Sequence, residues 1–417
     1  MNRVLGGSER QWWLQAMRAP CNIALTTCFD VPIDRARFER AAKWLQVRYG
    51  MLSARVDVAG DEVRFVPNDA PIPVEWRERR TREDWRAIGA RELGTGFPSA
   101  PYIRLTVIAD AHGADLIVCI SHMIGDGLSM AQITTDLIRC LEDPDRPSEP
   151  VPDRGTLDER APRAVRGKWF HFARHLIEQI AGAPHDPVRN ARLASGYHGR
   201  SNVDWITIEL SAEETTRLRT VSRERGTTVQ GALTAAMSLA VGERAARMGR
   251  KRIAVHSPIN LRKIVEPPAP DEIGNFAAGT TTWVPCQGDL WEIARAVKAD
   301  IEQAIARGAP FANERLAKGS KTNKPRTKPR WIALRLWPDL GVTNLGPFAA
   351  PDTPLGRSIR EMHILLALPV MESLACGTVT VHGKLFCDFH FCPDDVPREE
   401  MAPLVESARR HLRSALA

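Results

Sequence analysis

The stretch Ser121-His122-Met123-Ile124-Gly125-Asp126-Gly127 holds the residues whose types and spacing carry the most chemistry. Of the eleven histidines, only His122 is followed four residues later by Asp-Gly. A tight Gly-containing turn at this point lets the imidazole face a cleft, and a neutral histidine is the natural general base near pH 7. Asp126 has two readings: a direct orienting partner of the imidazole, or half of a structural ion pair with a distant arginine. Spacing alone does not choose between them. A histidine at a strand end is also commonly a core imidazole with satisfied hydrogen bonds, so the surrounding elements must be considered.

Those elements are legible. Asp115–Ile120 is an apolar run of strand length just before the motif, and an amphipathic helix with Ile133, Leu137 and Leu141 on one side follows it. Upstream, Ser8-Glu-Arg-Gln11 has the form of a capping box, Cys21–Phe29 reads as a strand, and Asp34 caps a helix with apolar positions Phe38, Ala41, Ala42 and Leu45 that ends at Gly50. Strands are expected at Ser53–Val58, Val63–Val66 and Ile103–Ala109, with a helix near Arg82–Leu93. Pro-rich composition from Glu142 suggests a linker, interrupted by a basic amphipathic helix near Val165–Ile180.

The second half restarts a mixed pattern: strands at Trp205–Leu210, Arg252–Ile259 and Thr280–Val284, and helices at Ala212–Arg225 and Asp289–Ala306. A capping box at Thr227-Thr-Val-Gln230 opens a long Ala-rich helix. Strands near Gly341–Asn344, Ile359–Ala367, Gly377–His382 and Lys384–Phe391 precede a last helix at about Pro397–Ala415. The irregular alternation predicts an α/β protein with mixed sheets: an N-terminal lobe over 1–150, a linker or crossover over 151–200, and a C-terminal lobe over 201–417.

Composition limits the alternatives. A chain of 417 residues, 43% hydrophobic and 26% charged, is ordinary for a globular protein and not for a disordered, collagen-like or coiled-coil one. The longest apolar run, Ile364–Met371, is too short for a membrane span. The N-terminus turns charged before a signal-peptide core forms, so a cytoplasmic location is expected. Eight cysteines are scattered without a CxxC pair, and strand alternation separates Cys387 from His390 and Cys392, so no metal site is expected. The net charge of +7 is matched by seven cations without an acid in the stretch 315–330. With no broad basic stripe elsewhere, nucleic-acid binding is not expected. Lys321, Lys324, Arg326 and Lys328 instead read as a solvated loop, or as one that captures an acidic or phosphate-bearing partner.

His122-x-x-x-Asp126-Gly127 resembles the HHxxxDG signature of the condensation-domain superfamily, which includes polyketide-associated acyltransferases and, more distantly, chloramphenicol acetyltransferase. Four further stretches fall in the family's order: Arg35–Gly50 leading to Met51-Leu-Ser-Ala-Arg55-Val, Pro258-Ile-Asn-Leu-Arg262, Ile273-Gly-Asn-Phe276 and Thr343-Asn-Leu-Gly346. The resemblance implies two chloramphenicol-acetyltransferase-like lobes in a V, with the active site in a tunnel between them. It implies that His122 is the general base for attack of an acceptor on a thioester without an acyl-enzyme, and that Asp126 pairs with Arg262 to hold the loop. Gly127 would leave room for the pantetheine arm, and Thr343 and Asn344 would lie across the tunnel. Ser121 replaces the family's first histidine; the second carries the chemistry, so the departure bears on loop support.

The function the resemblance implies is transfer of an acyl group from a pantetheine thioester, on coenzyme A or on an acyl or peptidyl carrier protein, to a hydroxyl acceptor in secondary-metabolite or lipid biosynthesis. No cofactor would be bound, phosphopantetheine or coenzyme A entering as part of the donor, and a monomer is expected. Amide formation on an amine acceptor and a non-catalytic, partner-binding scaffold are the alternatives; an epimerase-like variant has no second acid or base to support it.

Overall fold

The computed structural model describes residues 1–165, 177, 202–311, 338–368 and 374–416. The N-terminal part contains β1 (Arg3–Val4), β2 (Asn22–Phe29), β3 (Ala54–Ala59), β4 (Glu62–Pro67), β5 (Val74–Glu78), β6 (Ile103–Ala109) and β7 (Ala114–Ser121). Its helices are α1 (Gly7–Ala16), α2 (Arg35–Arg48), α3 (Asp84–Gly94) and α4 (Gly127–Glu142). The later strands are β8 (Asp204–Leu210), β9 (Arg252–Asn260), β10 (Ala277–Pro285), β11 (Leu340–Pro347), β12 (Ile359–Leu366), β13 (Leu374–Val381) and β14 (Lys384–Phe391). Longer helices of this part span Ala212–Glu224, Val229–Arg247, Leu290–Ala306 and Arg398–Ser414.

Two mixed sheets organise these elements. The first has the order β12-β2-β7-β6-β5 and the second β10-β9-β11-β13-β14-β8, while β1, β4 and β3 form a small antiparallel sheet. All eight residues of β2 and of β7 are buried, which is why both read as apolar runs rather than as alternating strands. Helix α2 begins where the Asp34 carboxylate accepts from the Arg37 N–H at 2.7 Å, and it buries Phe38, Ala41, Ala42 and Leu45. The helix at Ala212–Glu224 has a reciprocal box between Ser211 and Glu214.

Two expected caps are corrected. Helix α1 starts at Gly7, because Glu9, held by Arg3 at 2.7 Å, accepts from the Gly6 N–H at 2.7 Å; Ser8 lies inside the helix. The long Ala-rich helix is capped by Thr228, whose hydroxyl accepts from the Gly231 N–H at 3.0 Å. Thr227 instead donates to the Ala294 carbonyl at 2.9 Å. Strands β1 and β5 have no strong sequence signal, being short and half exposed.

Sheet membership departs from sequence order at one strand. β12 pairs antiparallel with β2 along the edge of the first sheet, although β11 and β13 on either side of it in sequence lie in the second. The core of the first sheet consequently includes Ile359, Met362 and Ile364. On β14 of the second sheet, Asp388 accepts from His363 of β12 at 2.9 Å, so a buried ion pair bridges the two sheets.

Candidate active site

His122 follows β7 directly, and its backbone N–H donates to the Cys21 carbonyl at 2.9 Å. The Ile124 N–H closes a turn on the Ser121 carbonyl at 3.0 Å. This turn brings the imidazole Nδ1 to 3.0 Å from the Gly125 carbonyl oxygen. The Gly125 carbonyl only accepts, so a proton on Nδ1 serves this 3.0 Å contact rather than the longer 3.4 Å one from the Asn275 amide nitrogen, and that tautomer leaves Nε2 its lone pair. The Trp12 ring of α1 stacks on the imidazole with centroids 4.1 Å apart and planes 11° from parallel. Asn275 donates to the His122 carbonyl at 3.0 Å, tying the loop to the chain segment before β10. Burial pushes the imidazole's proton affinity below that of an ordinary histidine, against the opposing charge of Asp126 and the hydrogen bond to Gly125.

Asp126 sits at the N-cap of α4, where it accepts from the Ser129 N–H at 2.9 Å and hydroxyl at 3.0 Å. Its other partners come from the second sheet's connections: Arg262 through two bonds of 2.6 and 2.9 Å, and the Phe276 N–H at 3.0 Å. Burial opposes ionisation of this carboxyl, but Arg262 and Ser129 outweigh it and hold it below the usual carboxylate range. The open choice between an imidazole partner and an ion pair is resolved geometrically: the carboxylate is spent on Arg262, α4 and Phe276. The Arg262 guanidinium lies over the Phe276 ring, 4.7 Å from its centroid, and donates to the Ser129 hydroxyl at 2.9 Å.

A cavity of about 160 Å³ opens beside this loop, walled by both sheets. His122, Gly127 and Met130 face it from the first, and Thr343 and Leu345 of β11 from the second. A Cβ at Gly127 would come within 2.4 Å of Leu345 Cδ2, so the glycine is what allows α4 and β11 to face each other this closely. Asn344 does not line the cavity; its side chain accepts from the Gly346 N–H at 2.8 Å and shapes the bend of β11. Ser121 is buried at the end of β7, where its hydroxyl accepts a long 3.4 Å bond from the Met123 N–H. Lys321, Lys324, Arg326 and Lys328 lie outside the described residues.

A second cavity, of about 260 Å³, borders Gly274, Asn275 and Phe276 and reaches Arg3, Glu9 and Asp153. His122 lines the first cavity, and Asn275, which donates to the His122 backbone carbonyl, lines the second. Among the described residues, no three His, Cys, Asp or Glu side chains converge as metal ligands. No described helix is long and apolar enough to cross a membrane.

Sequence reasoning missed four contributors: Trp12, Asn275, Leu345 and His256, the last facing the first cavity from β9. Asn275 and Leu345 stand inside segments that carry the family resemblance, and so were within reach. Trp12 and His256 carry no local signal, because each meets His122 or its cavity only through tertiary packing.

Residues 199–385 match the family described as phthiocerol/phthiodiolone dimycocerosyl transferase C-terminus. No curated protein matches the sequence. Among solved structures, polyketide synthase associated protein 5 from Mycobacterium tuberculosis is similar at 18% identity and a TM-score of 0.67, covering 100% of this chain and 98% of that one. The TRI3 trichothecene 15-O-acetyltransferase from Fusarium sporotrichioides is similar at 12% identity and a TM-score of 0.74, covering 99% and 95%. The first condensation domain of the CDA synthetase is similar at 14% identity and a TM-score of 0.74, covering 100% and 96%. Residues 199–385 thus match a family of acyl transferases, and over its whole length the chain shares the two-lobed, chloramphenicol-acetyltransferase-like fold of these condensation domains and acyltransferases.

Proposed function

We propose that the protein transfers an acyl group from a pantetheine thioester, on coenzyme A or a carrier protein, to a hydroxyl acceptor, forming an ester. The observation that carries this reading is the Nδ1 bond of His122 to the Gly125 carbonyl, which leaves Nε2 as a neutral base at a cavity wall. The acceptor hydroxyl gives its proton to Nε2 as its oxygen attacks the thioester carbonyl. The tetrahedral intermediate collapses with cleavage of the C–S bond, and the departing thiolate takes the proton back from the imidazolium. No acyl-enzyme and no bound cofactor are required, since the thioester supplies the activation.

Asp126 and Arg262 act through the loop: they fix its path, and Trp12 and Asn275 hold the ring and the backbone that carry the base. Two cavities, one lined by His122 and the other by Asn275, which hydrogen-bonds the His122 backbone, suit a reaction of two substrates. Lys321, Lys324, Arg326 and Lys328 are proposed, on charge alone, to capture the donor phosphate or an acidic carrier. Neutralising them raises the donor KM and flattens its salt dependence if so, and changes neither if the stretch is only solvated.

The test is thiol release from acyl-coenzyme A and acyl-pantetheine donors with alcohol and amine acceptors, wild type beside His122→Ala. Acceptor-dependent release that falls about a hundredfold or more in the variant supports the reading. Release with amines alone would make the protein an amide-forming condensation enzyme. No release with any donor, carrier-bound donors included, would leave a partner-binding scaffold.

A further inference from the structure

The cavity beside His122 contains a second imidazole that the reaction above does not use. Strand β9 pairs antiparallel with β10 and parallel with β11, and its alternation buries Val255, Ser257 and Ile259 while turning His256 and Pro258 toward the cavity. The cavity wall that His256 shares with His122, Asp126 and Thr343 is otherwise largely apolar, with Ile23, Met130, Val342, Leu345, Ile364 and Leu366. The ring lies across Gly279 of β10, where a Cβ would stand only 1.9 Å from its Cε1. The glycine therefore provides the space in which the imidazole rests.

Neither ring nitrogen of His256 has a hydrogen-bond partner among the described residues. Burial drives its proton affinity down to about 4, so near neutral pH the ring is uncharged, with one N–H donor and one lone pair. The ring is only partly buried, so its nitrogens are presented to whatever enters the cavity. The second cavity, with Arg3, Glu9 and Asp153 at its wall, is the more polar of the two, so the apolar one fits an alkyl chain better.

We propose that His256 is a specificity-determining residue that hydrogen-bonds an oxygen substituent on the acyl chain, so that the cavity selects a hydroxy- or oxo-acyl group over a plain alkyl one. The proposal rests on the acyl-transfer reading of the site and names its donor class.

The experiment measures binding by calorimetry, using non-transferable octanoyl-pantetheine amides that are either plain or hydroxylated at carbon 2, 3 or 5. Wild type is compared with His256→Leu, His256→Gln and Gly279→Ala, each checked for folding by thermal unfolding. Wild type is expected to bind one hydroxylated amide roughly tenfold more tightly than the plain one, the usual worth of a buried hydrogen bond. His256→Leu loses that preference, His256→Gln keeps part of it, and Gly279→Ala, which displaces the ring without changing it, loses it too. If His256→Leu does not fold, Gly279→Ala decides the outcome. Equal wild-type affinities, a preference that survives displacement of the ring, or no binding of any chain would overturn the proposal. Thiol release is scored separately: an oxygen preference that depends on His256, together with no loss of release in His122→Ala, would sink the acyl-transfer reading and leave the binding result standing.

Discussion

Asp126 and Arg262, separated by 136 residues in sequence, close two hydrogen bonds of 2.6 and 2.9 Å in the interior, and through them the connections around β9 and β10 are clamped to the loop that carries His122. Both side chains are almost wholly buried, at 5% and 7% exposure. Removing one partner strands the other as an unpaired buried charge. Arg262→Ala is therefore expected to cost about 3–5 kcal/mol of stability, measured by urea unfolding, and to lower turnover with it. Arg262→Lys keeps the charge but not the two-pronged geometry, and falls between wild type and alanine. A purely kinetic loss with unchanged unfolding would contradict the clamp.

Much of this arrangement is visible in the sequence, for reasons that differ from residue to residue. His122 and Asp126 stand out because a turn between a buried strand and a capped helix leaves a local pattern. The ion pair with Arg262 comes only through resemblance, since nothing local marks a partner so distant. Strand β12 reads as a strand from its apolar run, yet its place beside β2 is set by tertiary pairing that no period encodes. Asn344 looks like a tunnel residue because it stands in a familiar segment, while an Asx-type bond to the Gly346 N–H claims its side chain. Trp12 follows a capping pattern and reads as an ordinary apolar helix position; its stacking on His122 depends on how α1 docks.

The pH profile follows from the direction in which His122 is shifted. The base must be unprotonated, and burial lowers its proton affinity below the ordinary value of about 6.5. The acid limb of kcat/KM is therefore expected below pH 6.5, with a plateau extending through neutrality. Rates measured from pH 4.5 to 8 with saturating acceptor check this. A limb centred at or above 6.5 would mean that Asp126 governs the ring's charge after all.

Gly127 and Leu345 stand in close contact at the wall of the His122 cavity. Alanine at 127 would meet Leu345 Cδ2 at 2.4 Å, so the leucine must rotate into the cavity or be pushed back. Gly127→Ala is expected to raise KM for long-chain donors more than for acetyl donors, with a stability loss of about 1 kcal/mol from crowding. Leu345→Ala introduced with it restores the long-chain KM, a non-additive pair in a double-mutant cycle. Independent, additive effects would place the two residues on separate parts of the substrate path.

The ion pair between His363 and Asp388 makes stability depend on pH in a window of its own. Burial disfavours the imidazolium, but Asp388 at 2.9 Å and Glu361 at 3.6 Å more than offset it and raise the ring to about 9. Because the folded-state value lies above the unfolded value of about 6.5, the contribution is complete below pH 6.5 and is lost as pH rises through about 9. The size is at most roughly 3–4 kcal/mol, since each tenfold gain in the ring's proton affinity corresponds to about 1.4 kcal/mol. His122, His256 and His390, shifted downward, and Cys21, Cys119 and Cys140, raised to about 12, add pH dependence of their own, which a protein altered only at His363 shares. Urea unfolding at pH 6, 7.5 and 9 should therefore show the stability difference between wild type and His363→Gln shrinking steadily as pH rises. His363→Gln, whose amide is neutral throughout, should be weaker than wild type at pH 6 and close to it at pH 9. A difference between the two proteins that is the same at pH 6 and 9 would show that the two sheets are joined by packing, with the charge on His363 contributing nothing.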